Sequence, residues 1–222
     1  MLPDYKLTAL PLFLLGWVLI QPASADPPSI PDYDTARSLF WSQIYPDGGE
    51  TLYCGVKFGR HRGKNINVEH VFPMGWVIRS LKCGTRWRCR ERSPQFNRIE
   101  ADMHNLYPSL ERINHARGAF RYGMVRGEAR KFGKNCDFEV DFRNRSVEPR
   151  NAVRGNIARA MFYMKETYDL VIFAKLGRLL LEWNQADPPD AEEKRRNDRI
   201  ERVQGKRNPF IDDPGRARKL RF

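Results

Sequence analysis

The stretch INVEHVFPMGW, residues 66–76, decides how the chain is read. Ile66 and Val68 alternate with polar residues, Glu69 and His70 stand side by side, and Pro73 closes the run. A strand over 65–71 that ends at Pro73 is expected. Successive side chains of a regular strand point to opposite faces, so Glu69 and His70 can share one small site only where the strand bends or stops. As a structural pair they need no more than two separate environments. A zinc-protease signature is excluded: H-E-x-x-H needs histidines four apart, and the inverted H-x-x-E-H would need histidine where Ile66 stands.

Upstream, Ala36, Leu39, Phe40 and Ile44 suggest a helix over 33–44, broken by Pro46-Asp47-Gly48-Gly49. Residues 51–58 read as a strand carrying Cys54, and 60–64 as a basic loop. Downstream, 79–98 is dense in arginine (Arg79, Arg86, Arg88, Arg90, Arg92, Arg98) and reads as an irregular, stapled surface. A second polar cluster follows in IEADMHNLYPSLERIN, residues 99–114, which gathers Glu100, Asp102, His104, Asn105, Glu111 and Asn114. A helix over 110–117, starting near Pro108, would put Glu111 and Asn114 on one face. The Asn114 amide oxygen would then suit a hard cation, since Mg²⁺ takes oxygen ligands and keeps several waters. Together with one uncommitted histidine and a basic chain, these donors form a set suited to phosphodiester cleavage.

The rest of the chain sets the fold class. Residues 138–142 alternate as a strand should, 154–168 is rich in helix formers, and Leu176, Leu179, Leu180 and Trp183 follow helical spacing. Pro188-Pro189 stops that helix, 191–204 is heavily charged, and a flexible basic tail is expected near 211–222. An α+β fold, mostly helical with a small β-sheet, is implied, as one domain over 26–222 without internal repeats.

Residues 7–20 are largely apolar, follow Lys6 and precede Pro22-Ala23-Ser24-Ala25, so 1–25 reads as a cleaved signal peptide, with a membrane anchor as the alternative. Its loss removes Asp4 and Lys6, taking one from each of the 27 acidic and 39 basic residues and leaving the net charge at +12. Such an excess favours phosphate-rich partners or anionic surfaces. Cys54, Cys83, Cys89 and Cys136 in an exported chain read as disulfides; three pairings exist, and the short Cys83–Cys89 spacing favours a local bridge with a long one from Cys54 to Cys136. Zinc is the competing account, though five intervening residues exceed the usual ligand spacing.

Four motifs, VEHVFP, QFNRIEADMHNLYPSLERIN, RGNIARAMFYM and DRIERVQGKRNPF, lie in this order between Val68 and Phe210. Through them the sequence resembles the secreted and periplasmic bacterial endonuclease I family, nonspecific nucleases with a ββα-metal (His-Me finger) site. The resemblance implies a disulfide-stabilised ββα-metal core, a periplasmic or secreted location, and hydrolysis of DNA and RNA to 5′-phosphate ends. It implies that Glu69 and Asn114 hold Mg²⁺ (Mn²⁺ or Ca²⁺ as alternatives), that His70 is the general base, and that Arg86 contacts the scissile phosphate, with Arg88 its nearest competitor. Glu100 corresponds to an acidic residue near the metal's waters, and His104 and Asn105 to residues that lock the site. Arg88 and Arg117 are expected to touch nucleic acid. DNA and RNA are the expected partners, with no membrane, no protein partner and a monomeric enzyme. Many relatives follow the ligand asparagine with glycine, where this chain has His115. The rival readings are a non-enzymatic secreted cationic protein that coats nucleic acid or envelopes, and a metal-independent ribonuclease with two histidines.

Overall fold

The N-terminal apolar spacing becomes α1 (Tyr33–Leu39), capped by Asp32 and continued by a π-helical turn, Phe40–Ile44. This computed structural model describes residues 30–127 and 130–222, so the expected signal peptide lies outside the described residues. The expected strand over 51–58 is corrected. Gly48–Glu50 (β1) pairs antiparallel with Lys57–Gly59 (β2), and the chain between them turns. The turn is closed because the Gly55 amide donates to the Thr51 carbonyl and the Val56 amide to the Thr51 hydroxyl, both at 2.9 Å. Gly55 takes the left-handed φ of +67° that the turn requires.

The strand at the decisive stretch is β3 (Ile66–His70). Between it and its partner lie α2 (Met74–Leu81), α3 (Arg86–Arg92) and α4 (Pro94–Ala101). The irregular surface expected over 79–98 is therefore largely helical. Arginine is a good helix former, and the starts are capped: Thr85 accepts from the Arg88 amide, and Ser93 accepts from the Phe96 amide with Pro94 at the first position.

After these helices comes β4 (Leu106–Leu110), antiparallel to β3 with Glu69 opposite Tyr107 and His70 opposite Leu106. Helix α5 (Glu111–Arg117) follows at once. It begins at Glu111 rather than near Pro108, because Pro108 sits within β4 opposite Val68. Strand, strand and helix form a ββα unit, with α2–α4 inserted between its strands.

Instead of one small sheet, the described residues form three. The third joins β5 (Arg121–Tyr122), β6 (Phe138–Asp141) and β7 (Ser146–Pro149) in the order β5-β7-β6. The C-terminal part is helical: α6 (Arg154–Tyr168), α7 (Ala174–Ala186), α8 (Ala191–Gln204) and α9 (Pro209–Asp212). Helix α6 is buried along most of its length, and Gly155 lets its start meet the end of α7, since a Cβ there would lie 1.9 Å from the Asp187 carbonyl oxygen. Arg159 grips both oxygens of Glu193 and ties α6 to α8. No helix among the described residues is long and apolar enough to cross a membrane.

Both expected disulfides are present, Cys54–Cys136 and Cys83–Cys89. The tail expected to be flexible instead packs on the body. Ile211 and Ala217 are buried, Arg216 pairs with Glu166, and the Phe222 ring fills the space left by Gly177, where a Cβ would come within 2.2 Å of it. Apolar residues interleaved among the basic ones supply that anchorage, and composition alone hides them.

Candidate active site

A cleft of about 580 Å³ opens over the end of β3 and the face of α5, and Glu69, His70, Arg86 and Asn114 all line it. The strand stops at His70, and both side chains reach the cleft at this end of it.

Glu69 is almost wholly buried. Its Oε1 accepts a 2.7 Å hydrogen bond from the Tyr53 hydroxyl and lies 3.2 Å from an Arg117 guanidinium nitrogen. Burial pushes its carboxyl above the usual range, while Arg117, Tyr53 and the His70 amide pull it back. Both side-chain contacts fall on Oε1, and neither reaches Oε2.

The Asn114 amide is oriented by the β-strand beside it. Its Nδ2 donates to Asn67 Oδ1 at 2.9 Å and to the Val68 carbonyl at 3.1 Å. A carbonyl can only accept, so this edge of the amide is the nitrogen, and Oδ1 is left to face other partners.

The same logic fixes the imidazole. His70 Nε2 lies 3.0 Å from the Glu100 carbonyl and must carry the proton, which leaves the Nδ1 lone pair as the basic position of the ring. Burial first, then the Arg86, Arg117 and Arg90 charges, push the His70 pKa down to about 3, so the ring is neutral near pH 7. Tyr33 packs against it with ring centroids 5.1 Å apart.

Glu100 differs from its expected place near a metal's waters. Its buried carboxylate binds Arg86 through one oxygen and Arg90 through both, at 2.7 Å for Arg90 Nε to Oε2. It positions arginines. Arg86 and Arg90 lie one helical turn apart on α3, both line the cleft and both sit over the Tyr33 ring. Arg88 is exposed and does not line it, which favours Arg86 as the cleft arginine.

Over residues 23–215 the chain matches the family described as Endonuclease I. The chain belongs to the endonuclease I family. It is 34% identical to an extracellular deoxyribonuclease of Aeromonas hydrophila over 91% of this chain and 97% of that protein. A periplasmic deoxyribonuclease of the same organism is 33% identical over 93% of this chain and 96% of that protein. An extracellular ribonuclease of Bacillus amyloliquefaciens is 38% identical over 51% of this chain and 44% of that protein.

Within this endonuclease I chain the other expected residues have separate places. Asn105 clamps Phe72, accepting from its amide at 2.6 Å and donating to its carbonyl at 3.1 Å, which holds the turn after His70. His104 faces away from the cleft, with Nε2 2.9 Å from the Lys206 carbonyl and its ring on Tyr163. Arg117, expected to touch nucleic acid, is corrected: only 1% exposed, it binds the His70, Val71 and Gly118 carbonyls and the Tyr122 hydroxyl. Sequence reading also passed over Tyr33, Tyr53 and Arg90. Only Arg90 carried a signal, its spacing of four from Arg86 on a capped helix.

A hard divalent cation fits this donor set. Among the described residues no group of three or more His, Cys, Asp and Glu is placed to hold a metal. One carboxylate and one amide oxygen, both aimed by their neighbours, match an ion that retains most of its waters, as Mg²⁺ does. A tightly caged zinc would need more ligands.

Proposed function

We propose that this protein is an exported, metal-dependent endonuclease that hydrolyses phosphodiester bonds of DNA and RNA and leaves 5′-phosphate ends. The observation that carries this reading is the His70 ring, whose tautomer is set by the Glu100 carbonyl beside two oxygen donors in one cleft. The names of the Aeromonas relatives support DNA as substrate and an extracellular or periplasmic location. The name of the Bacillus relative supports RNA.

Glu69 and Asn114 would hold the ion. When bound, Mg²⁺ supplies positive charge to the phosphate and the leaving oxygen. His70, neutral and unprotonated at Nδ1, takes a proton from the water that attacks phosphorus. Arg86, with Arg90 behind it, stabilises the charge that grows on the phosphate oxygens, and Glu100 keeps both guanidiniums from drifting. Arg117 and Tyr53 hold Glu69 in the orientation that leaves one oxygen free.

Mass spectrometry of the products from a DNA and an RNA oligonucleotide tests this chemistry. Both should carry 5′-phosphate and 3′-hydroxyl ends and should vanish in EDTA. A 2′,3′-cyclic phosphate from RNA, or cleavage that persists in EDTA, would overturn the proposal in favour of a metal-independent ribonuclease.

A further inference from the structure

The cleft does not end at the reactive residues. Arg37, Trp41 and Arg62 line it and also line a second cavity of about 530 Å³, which continues beside α1 toward Pro46 and Arg60. The two cavities therefore meet at one basic and aromatic border.

The charges along this border are not equivalent. Arg37 lies 3.7 Å from Asp34 and Arg60 lies 3.0 Å from Asp47, in exposed pairs that hold weakly. Arg62 has no acidic partner among the described residues. Its guanidinium carbon sits 4.2 Å from the centroid of the Trp41 ring. That ring is itself held in place by Phe40 and Phe58, each edge-on to it, and by Tyr45. A guanidinium resting on a fixed indole offers both a positive charge and a flat face, and nucleobases stack on such planes.

We propose that one strand of the substrate runs from the scissile phosphate into this groove, with a flanking phosphate on Arg37 and Arg62 and an unpaired base laid against the Arg62–Trp41 pair. The proposal rests on the nuclease reading and adds a direction and a preference to it. A base inside a duplex has its faces covered by its neighbours, so this subsite serves single-stranded or locally opened nucleic acid.

The test is fluorescence anisotropy of labelled short and long oligothymidylates, and of a matching duplex, in EDTA. Arg62→Ala should weaken binding of the long single strand about tenfold, the order of one stacked base. The slope of log affinity against log salt should flatten by about 0.7, the value of one phosphate contact on a single strand. The short strand and the duplex should lose less. Arg62→Lys should restore the salt slope without restoring the affinity, because it returns charge without the plane. Arg218→Ala, which removes an exposed charge on the tail, serves as the control. Equal losses at all lengths, or a loss matched by Arg218→Ala, would overturn the groove. Cleavage by the wild type is followed in parallel with Mg²⁺. If the wild type cleaves while Arg62→Ala binds as the wild type does, the groove alone fails; if the wild type cleaves nothing, the nuclease reading fails and the groove loses its basis.

Discussion

Arg117 is the residue on which the reactive end of β3 depends. Its guanidinium binds two consecutive carbonyls, those of His70 and Val71, and lies against Glu69, so its charge is needed inside the protein. Removing one member of a buried pair strands the other, at about 3–5 kcal/mol. Arg117→Met should therefore lower stability by that order in urea denaturation; a variant of normal stability with a flattened salt dependence of binding would return Arg117 to the surface role read from sequence. His104 gives a pH test. Burial first, then the nearby Arg196 and Arg207 charges, push its pKa down to about 4, against the pull of Asp102 and the Lys206 carbonyl. Unfolded, the imidazole takes a proton near pH 6.5. Between those values the unfolded chain binds the extra proton, so stability is full above about pH 6.5 and falls as pH drops toward 4. His104→Gln should make the urea midpoint less sensitive to pH in that window, and equal pH dependence in both proteins would contradict the assignment. At this scale motif and spacing singled out Glu69, His70 and Asn114, and the fold brings all three to one cleft. The sequence left Arg117 misread, since whether an arginine is buried depends on carbonyls brought to it by folding.

At the scale of elements, the ββα unit was half legible. The β3 strand and helix α5 announced themselves by alternation and spacing, whereas β4 hid behind Pro108, a residue that argues against strands. The helices α2–α4 were hidden by their arginines, and their caps, Thr85 and Ser93, were the available signal. The Cys83–Cys89 bridge ties the segment after α2 to α3, the helix that carries Arg86 and Arg90. Closing so short a loop contributes about 2 kcal/mol by chain entropy. The double variant Cys83→Ser/Cys89→Ser should keep the core, which retains the bridge spanning 82 residues, yet lose cleavage as the arginines loosen. Hydrogen exchange should rise in α3 first. Cleavage equal to that of the wild type in the reduced segment would contradict this division of labour.

For the whole molecule, the C-terminal helices act as a brace for the site. Arg196 of α8 donates to the Met103 and Leu106 carbonyls and lies over the Tyr107 ring at 4.0 Å, so the far end of the chain fixes the start of β4. This explains why the charged segment 191–204, bland as sequence, is a helix with buried Glu193, Arg196 and Asn197. Such placements were illegible because each depends on a partner that only folding brings up: Arg159 for Glu193, the Met103 and Leu106 carbonyls for Arg196, and Asn208 for Asn197. The net charge of +12 was legible at once, and in the folded chain part of it borders the cleft as Arg37, Arg62, Arg86 and Arg90. In the proposed enzyme Glu69, His70 and Asn114 form one metal-dependent phosphodiesterase centre. The measurement for this is plasmid cleavage by the oxidised wild type, Glu69→Gln and His70→Ala across a Mg²⁺ titration. The wild type should cut saturably with Mg²⁺ and not in EDTA, Glu69→Gln should need far more Mg²⁺, and His70→Ala should fail by at least about a hundredfold at every concentration. Cleavage by His70→Ala close to that of the wild type, or a Mg²⁺ dependence that Glu69→Gln leaves in place, would contradict it.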